Sequence, residues 1–289
     1  MERVDSWKRL LALEDQFEHK RQEWVYRGQS SPAYRMRSTL ERACADFRVS
    51  GRMMAVVERA ATIDFKRSCH LYSPSWLPDE ADTLGWMALM RHYGAPSRLL
   101  DFTYSLFIAT YFAAEAERAK PVIWAVNKTW LSKHLESQIL AIPADSKGIG
   151  GRELLDAWAR REGWAVDRLL MQRKVLPPLV AAIGPMKMND RLLLQQGVFL
   201  ASTDVTVPFH DILDDLPGSR SNVVEIRITK AEARLEILGK LHRTGLSRAA
   251  LFPGLQGFAE SLRAKILTTR RLERLRRVGA RIGPRAIGV

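Results

Sequence analysis

In DSWKRLLALEDQF, apolar residues at positions 7, 10, 11, 13 and 17 recur at close to the helical period and predict a helix within residues 1–19. EWVYRG then reads as a short strand that stops at Gly28. RSTLERACADF and GRMMAVVERAATIDFKRSCHLY read as helices, and the loop SPSWLPDEAD separates them from TLGWMALMRHY, a helix that Asp82 or Thr83 caps and Gly94 ends. SLFIATYFAAEAERA is apolar nearly all round at its start, the pattern of a buried helix. PVIWAVN is β-branched and aromatic, a strand introduced by Pro121 and closed by Asn127.

Residues 128–175 are mostly helical and charged around the break KGIGGRE, which lacks the Lys-Ser/Thr of a phosphate loop. LVAAIGP, GVFLAST and VVEIRIT read as strands, with NDRLLLQQ between the first two. KAEARLEILGKLHRTG is a helix with a basic last turn and a terminal glycine, and LFPGLQGFAESLRAKIL predicts a closing helix. Helices early and strands later define an α+β fold with a helix-rich N-terminal half and a small mixed or antiparallel sheet.

Charge changes this picture at one place. The chain carries a net +13, but residues 263–289 hold nine Lys/Arg against Glu273, a net +8 that leaves +5 to the other 262 residues. The tail is expected either to engage a nucleic acid or an acidic protein, or to be a solvated helix end. Cys44 and Cys69 form neither a disulfide framework nor a metal spacing. The charged N-terminus has no apolar signal core and no run is long enough to span a bilayer, so a cytoplasmic chain is expected. No Gly-x-Ser-x-Gly elbow, His-Glu-x-x-His or reactive Cys-His pair is present, and no metal is expected.

Three segments carry unusual chemistry. YRGQSSPAYRMRSTLER sets Arg27 on a strand beside Gly28, where a ligand or another backbone can approach closely, with Gln29, Arg35 and Arg37 as further donors. By residue type alone a strand arginine is more often half of an internal ion pair, here with Asp101 as the candidate partner. RHYGAPSRLLDFT reads as a pocket-forming loop anchored by Leu99 and Leu100, with His92, Tyr93, Arg98, Asp101 and Thr103 as its polar wall. Asp101 or Thr103 reads alternatively as a helix cap, and His92 as a core histidine. NDRLLLQQGVFLAST places Gln195 and Gln196 before a glycine and a strand.

YRGQ, HYGAPSRLLDFTYSLFIATYFA, LLLQQGVF and ALFPGLQGFAESL, in that order, resemble the FRG domain family, named for an aromatic-Arg-Gly motif that here is Tyr26-Arg27-Gly28. The resemblance runs from about residue 20 to about 265 and implies an FRG-type domain over 20–262, between the N-terminal helix 1–19 and the tail 263–289. The motif order is also similar to the ADP-ribosyltransferase fold. That similarity implies NAD as cofactor, with Tyr26, Arg27, Gly28 and Gln29 in a first motif and Thr103 and Ser105 in a second that positions the nicotinamide ribose. Gln195 or Gln196 would stand at a third, and Tyr93 or Tyr104 would stack on the nicotinamide. Catalysis would rest on Gln196, Arg27 and Thr103, in a toxin-like or anti-phage effector that modifies nucleic acid or protein. The third motif departs from the pattern by having Gln where a Glu is expected; Glu225 and Asp101 are the available carboxylates, and neither sits at the motif's position. The alternative is a non-catalytic module that binds a ligand or nucleic acid.

Overall fold

The computed structural model describes residues 1–72, 76–116, 120–146, 148–172, 175–185, 187 and 189–262. The basic tail 263–289, the end of the closing helix beyond 262 and the start of the 73–82 loop lie outside the described residues.

A seven-stranded mixed sheet runs in the order β1-β7-β4-β2-β3-β6-β5 and organises the chain. The N-terminal helix α1 (Trp7–His19) is preceded by a three-residue strand, β1 (Glu2–Val4), that pairs parallel to β7 (Val223–Ile228). All other strand pairs are antiparallel. β2 (Trp24–Gln29) lies beside β4 (Val122–Asn127) over its full length, whereas it meets β3 (Leu100–Thr103) only at Tyr26↔Thr103. β6 (Gly197–Ser202) and the edge strand β5 (Val180–Ile183) complete the sheet.

Alternation along β2 sends its side chains to two separate cores. Trp24 and Tyr26 join α1, α5 (Leu106–Ala114) and α12 (Ala231–Arg243) through Leu10, Phe17, Ala109 and Ile237. Val25 joins the other core, with Phe102, Trp130, Phe199 and Phe209. The helices of this second face include α4 (Thr83–His92), α6 (Lys128–Leu140), α7 (Gly151–Ala159), α8 (Gly163–Val166) and α10 (Phe209–Asp215). α2 (Thr39–Asp46) and α3 (Gly51–Ser68) lie at its margin, around a small cluster of Leu40, Cys44 and Val205. The short helices α9 (Asp190–Leu194), α11 (Ser219–Asn222), α13 (Arg248–Leu251) and α14 (Leu255–Ser261) connect or close the elements.

Caps fix the boundaries that matter for the site. Asp82 accepts from Gly85 N at 2.8 Å and starts α4, Ser105 accepts from Ile108 N at 3.2 Å and starts α5, and Asn127 accepts from Trp130 N at 3.1 Å and starts α6. The α+β class stands, with a sheet larger than the sequence suggested because β1 and β3 are too short to show a period. Leu100–Thr103, read from the sequence as part of a loop, is an interior strand between β2 and β6.

Candidate functional site

Beyond Tyr26↔Thr103, β2 and β3 are joined by a side chain: Arg27 Nη1 donates to the main-chain carbonyl of Asp101 at 2.6 Å. Arg27 lies on the rim of two adjoining spaces. One is a cleft of about 930 Å³ bordered by Arg42, Tyr111, Glu115, Arg234, His242 and Arg248. The other is a recess of about 190 Å³ that shares Arg27, Gly28 and Phe112 with the cleft and is closed by Asp101, Arg191, Gln195 and Phe252.

The electrostatics are those of crowded cations. Arg91, in the last turn of α4, forms an ion pair with the Asp101 carboxylate. Burial pushes the Arg27 guanidinium down to about 10; Asp101 opposes that shift, while Arg91 and Arg42 reinforce it. Arg42 and Arg191 are lowered as well, first by burial, with Arg91 adding to the repulsion on both. His92 beside Arg191 is lowered for the same two reasons. The Nε atoms of Arg27 and Arg91 are buried and have no hydrogen-bond partner among the described residues.

The 247–261 segment supplies the remaining wall. Phe252 stands edge-on to Phe112 with centroids 5.9 Å apart and carries the guanidinium groups of Arg191 and Arg248 at 4.6 and 4.5 Å. Gln195 Nε2 donates to Leu251 O at 3.0 Å, and Arg248 donates to Glu115 at 2.8 Å while also pairing with Glu260. Tyr111 donates to Glu115 at 3.1 Å.

The residues singled out from the sequence divide. Tyr26, Arg27, Gly28, Asp101, Thr103 and Gln195 border the recess, Gln29 borders the cleft and His92 borders a narrow gap behind Asp101. Within that set Thr103 is occupied structurally, donating to Gln195 O at 2.7 Å and accepting from Ser105 N at 3.1 Å, and Ser105 is the α5 cap. Gln29 accepts from Trp124 Nε1 at 2.8 Å. Gly28 is needed for another backbone: a Cβ there would lie 1.9 Å from Ala109 O.

Arg98 stands apart from the cleft. It is 3% exposed and its donors go to Glu58, to Leu170 O and to Ser202 O. Tyr93 is 60% exposed and borders a different, apolar hollow with Phe65, Cys69 and Leu89. Tyr104 lies under Lys128 Nζ at 5.2 Å. Gln196 is exposed, holds a positive φ of 47° and offers its carbonyl to Tyr104 N at 3.0 Å; it does not border the recess, and Gln195 does. Arg35 pairs with Asp211, and both Arg35 and Arg37 border a separate cavity beside His210. Glu225, the other carboxylate considered, pairs with Arg227 on β7.

Sequence reasoning did not reach Arg42, Arg91, Arg191, Arg248, Phe112 or Phe252. Two signals were available: Arg91 directly precedes HYGAPSR, and Phe252 lies within ALFPGLQGF. Among the described residues no group of His, Cys, Asp and Glu could hold a metal ion.

Residues 22–121 match the family model of the FRG domain. The matched segment holds Tyr26-Arg27-Gly28, α4, β3 and α5, and so contributes Arg27, Arg42, Arg91, Asp101 and Phe112; Arg191 and Phe252 come from outside it. No curated protein and no solved structure matches the chain.

Proposed function

We propose that the chain is an NAD-binding domain of ADP-ribosyltransferase type whose cleft takes the dinucleotide. The observation that supports the nucleotide reading is the placing of Arg27 and Arg42 on the cleft, of Arg27 and Arg191 with Phe112 and Phe252 on the adjoining recess, and of Arg91 on the gap behind it. Guanidinium groups suit phosphate because their donors are planar and permanently charged, and aromatic walls suit a base or a nicotinamide ring. A volume of about 930 Å³ falls within the range of small-molecule sites. In this reading the acceptor is a nucleic acid or a protein, the basic tail is its electrostatic handle, and the setting is that of a toxin-like or anti-phage effector.

A second reading, binding without transfer, is favoured by the state of the carboxylates. Asp101, Glu115 and Glu260 each pair with an arginine, and Gln196 faces solvent. None of them is a free anion beside the recess.

Calorimetry with NAD and ADP-ribose on the full chain tests the first step. Binding that Arg27→Met and Phe252→Ala each weaken supports the site, and a folded protein that binds neither ligand excludes NAD. Incubation with labelled NAD plus RNA, DNA or protein then separates the readings. Label transfer establishes the transferase, and binding without transfer leaves the binding module. Tail-driven nucleic-acid binding should weaken steeply with salt and disappear when the Lys and Arg residues of 263–289 are neutralised.

A further inference from the structure

Asp101 occupies an unusual position among the cleft's charges. It borders both the recess of about 190 Å³ and the gap behind it, where Arg91, His92, Asn189 and Arg191 face it. Its carboxylate holds Arg91, and its main-chain carbonyl, not its charge, holds Arg27. Arg191 rests on the Phe252 ring and has no ion pair among the described residues. Three guanidinium groups thus stand around one carboxylate that pairs with Arg91 alone, and Arg27 and Arg91 each keep a buried Nε with no hydrogen-bond partner among the described residues. The surplus is two positive charges spread over the recess and the gap that meet at Asp101. Crowding of that kind is unfavourable by itself and is relieved by an anion carrying two charges.

From this arrangement we infer that the recess bordered by Arg27 and Arg191, with Arg91 behind Asp101, is a subsite for a dianionic phosphoryl or diphosphate group, and that Asp101 is its built-in competitor. The inference deepens the nucleotide reading by assigning the phosphate end of the ligand to the recess and leaving the larger cleft for the rest. Asp101 lowers affinity in two ways. It neutralises Arg91 in advance, and its negative charge opposes the incoming phosphate. The subsite therefore discriminates by charge: a diphosphate displaces the Asp101 pairing, whereas a monoanion has too little to gain. The recess and the cleft share Arg27, Gly28 and Phe112 as walls, so the two spaces adjoin, and the proposed nucleotide lies across both.

The test is calorimetric titration of the full chain with pyrophosphate, orthophosphate, ADP and NAD, in wild type, Asp101→Asn and Arg191→Gln. Asp101→Asn is expected to tighten pyrophosphate binding by about tenfold or more, since a like charge a few ångströms away is removed. Arg191→Gln is expected to weaken it by a similar factor. Competition of ADP or NAD with pyrophosphate identifies a nucleotide as the source of the phosphate. Pyrophosphate binding with no NAD binding upholds the subsite and removes the NAD reading. NAD binding without pyrophosphate binding, unchanged in both variants, overturns the subsite and leaves the NAD reading standing. Unchanged or weaker pyrophosphate binding in Asp101→Asn overturns the competitor role. Should that variant lose its cooperative melt, Arg191→Gln decides alone, and an unchanged pyrophosphate affinity there overturns the proposal.

Discussion

Arg98 and Glu58 are 3% and 1% exposed and bond to each other through Arg98 Nε at 3.1 and 2.9 Å, through Nη2, and through the Arg98 main-chain N–H at 3.0 Å. Glu58 is the one buried residue of α3, so an ion pair docks this long helix onto the body, beside the half-buried Met54, Ala55, Val57 and Phe65 that pack on two small apolar clusters. A buried pair of this kind adds little over a packed apolar pair, yet removing one partner strands a charge and costs about 3–5 kcal/mol. Arg98→Met should therefore lower the unfolding free energy in urea by about that amount, and Arg98→Met with Glu58→Leu should recover most of the loss. A single variant as stable as wild type would show that the pair does not hold α3. Arg98 and Arg27 looked alike in sequence, each a lone arginine among apolar neighbours. The difference lies in the partners: Glu58 is 40 residues away from Arg98, and no spacing rule links them. Gln195 and Gln196 divide for a backbone reason, since the left-handed turn at Gln196 points one glutamine inward and the next out.

The crossing of α5 over β2 determines where Arg27 and Phe112 meet. Gly28 lies against the helix backbone so closely that a Cβ would fall 1.9 Å from Ala109 O and 2.7 Å from Ala113 N, so α5 would have to move. Gly28→Ala should cost roughly 1–3 kcal/mol or more, as overpacking does, and should also weaken ligand binding because Phe112 moves with the helix. Loss of stability with binding intact would mean that the α5 position does not set the cleft. The glycine was legible as a place of close approach, but the approaching body is a helix. β4 was legible as a β-branched and aromatic run and α12 as thirteen residues of helical period, each with a clear end, Asn127 in one and Gly245 in the other. β3 was not: four residues, Leu-Asp-Phe-Thr, give only two apolar positions. Its strand state comes from β6, with which it pairs at all four residues. The arginine cluster was hidden for a related reason, since α2, α4 and α9 each contribute one member and only the sheet order brings them together.

Across the molecule, three histidines have been drawn below their ordinary value of 6.5, and in each the largest cause is burial. Arg191 adds to this for His92 and Arg35 for His210, while Asp214 opposes it for His210 and Glu115 for His242. His210 Nδ1 and His242 Nε2 are buried and have no hydrogen-bond partner among the described residues, so protonation there places a charge that no described neighbour of that atom accepts. The sign follows from proton binding. With the folded pKa depressed, the unfolded chain binds more protons once the pH falls below about 6.5, so acidification favours unfolding and stability rises with pH through that window. Glu14, raised above its ordinary 4.5 chiefly by burial, acts in the opposite sense at lower pH. The melting temperature should therefore drop between about pH 7.5 and about pH 5.5. His242→Phe keeps a ring edge-on to Tyr111, whose centroid lies 5.8 Å away, while removing one of the three titrating groups, so its melting temperature should drop less over the same interval. A melting temperature that holds or rises on acidification, or a His242→Phe profile parallel to wild type, would show that these rings are solvated in solution. The same titration with pyrophosphate present bears on the cleft. His92 stands beside Arg191 and Asp101, and an added dianion there favours its protonated form. Pyrophosphate itself loses charge over this interval, so the comparison is with His92→Asn: the ratio of stabilisation at about pH 5.5 to that at about pH 7.5 should be larger in wild type than in the variant.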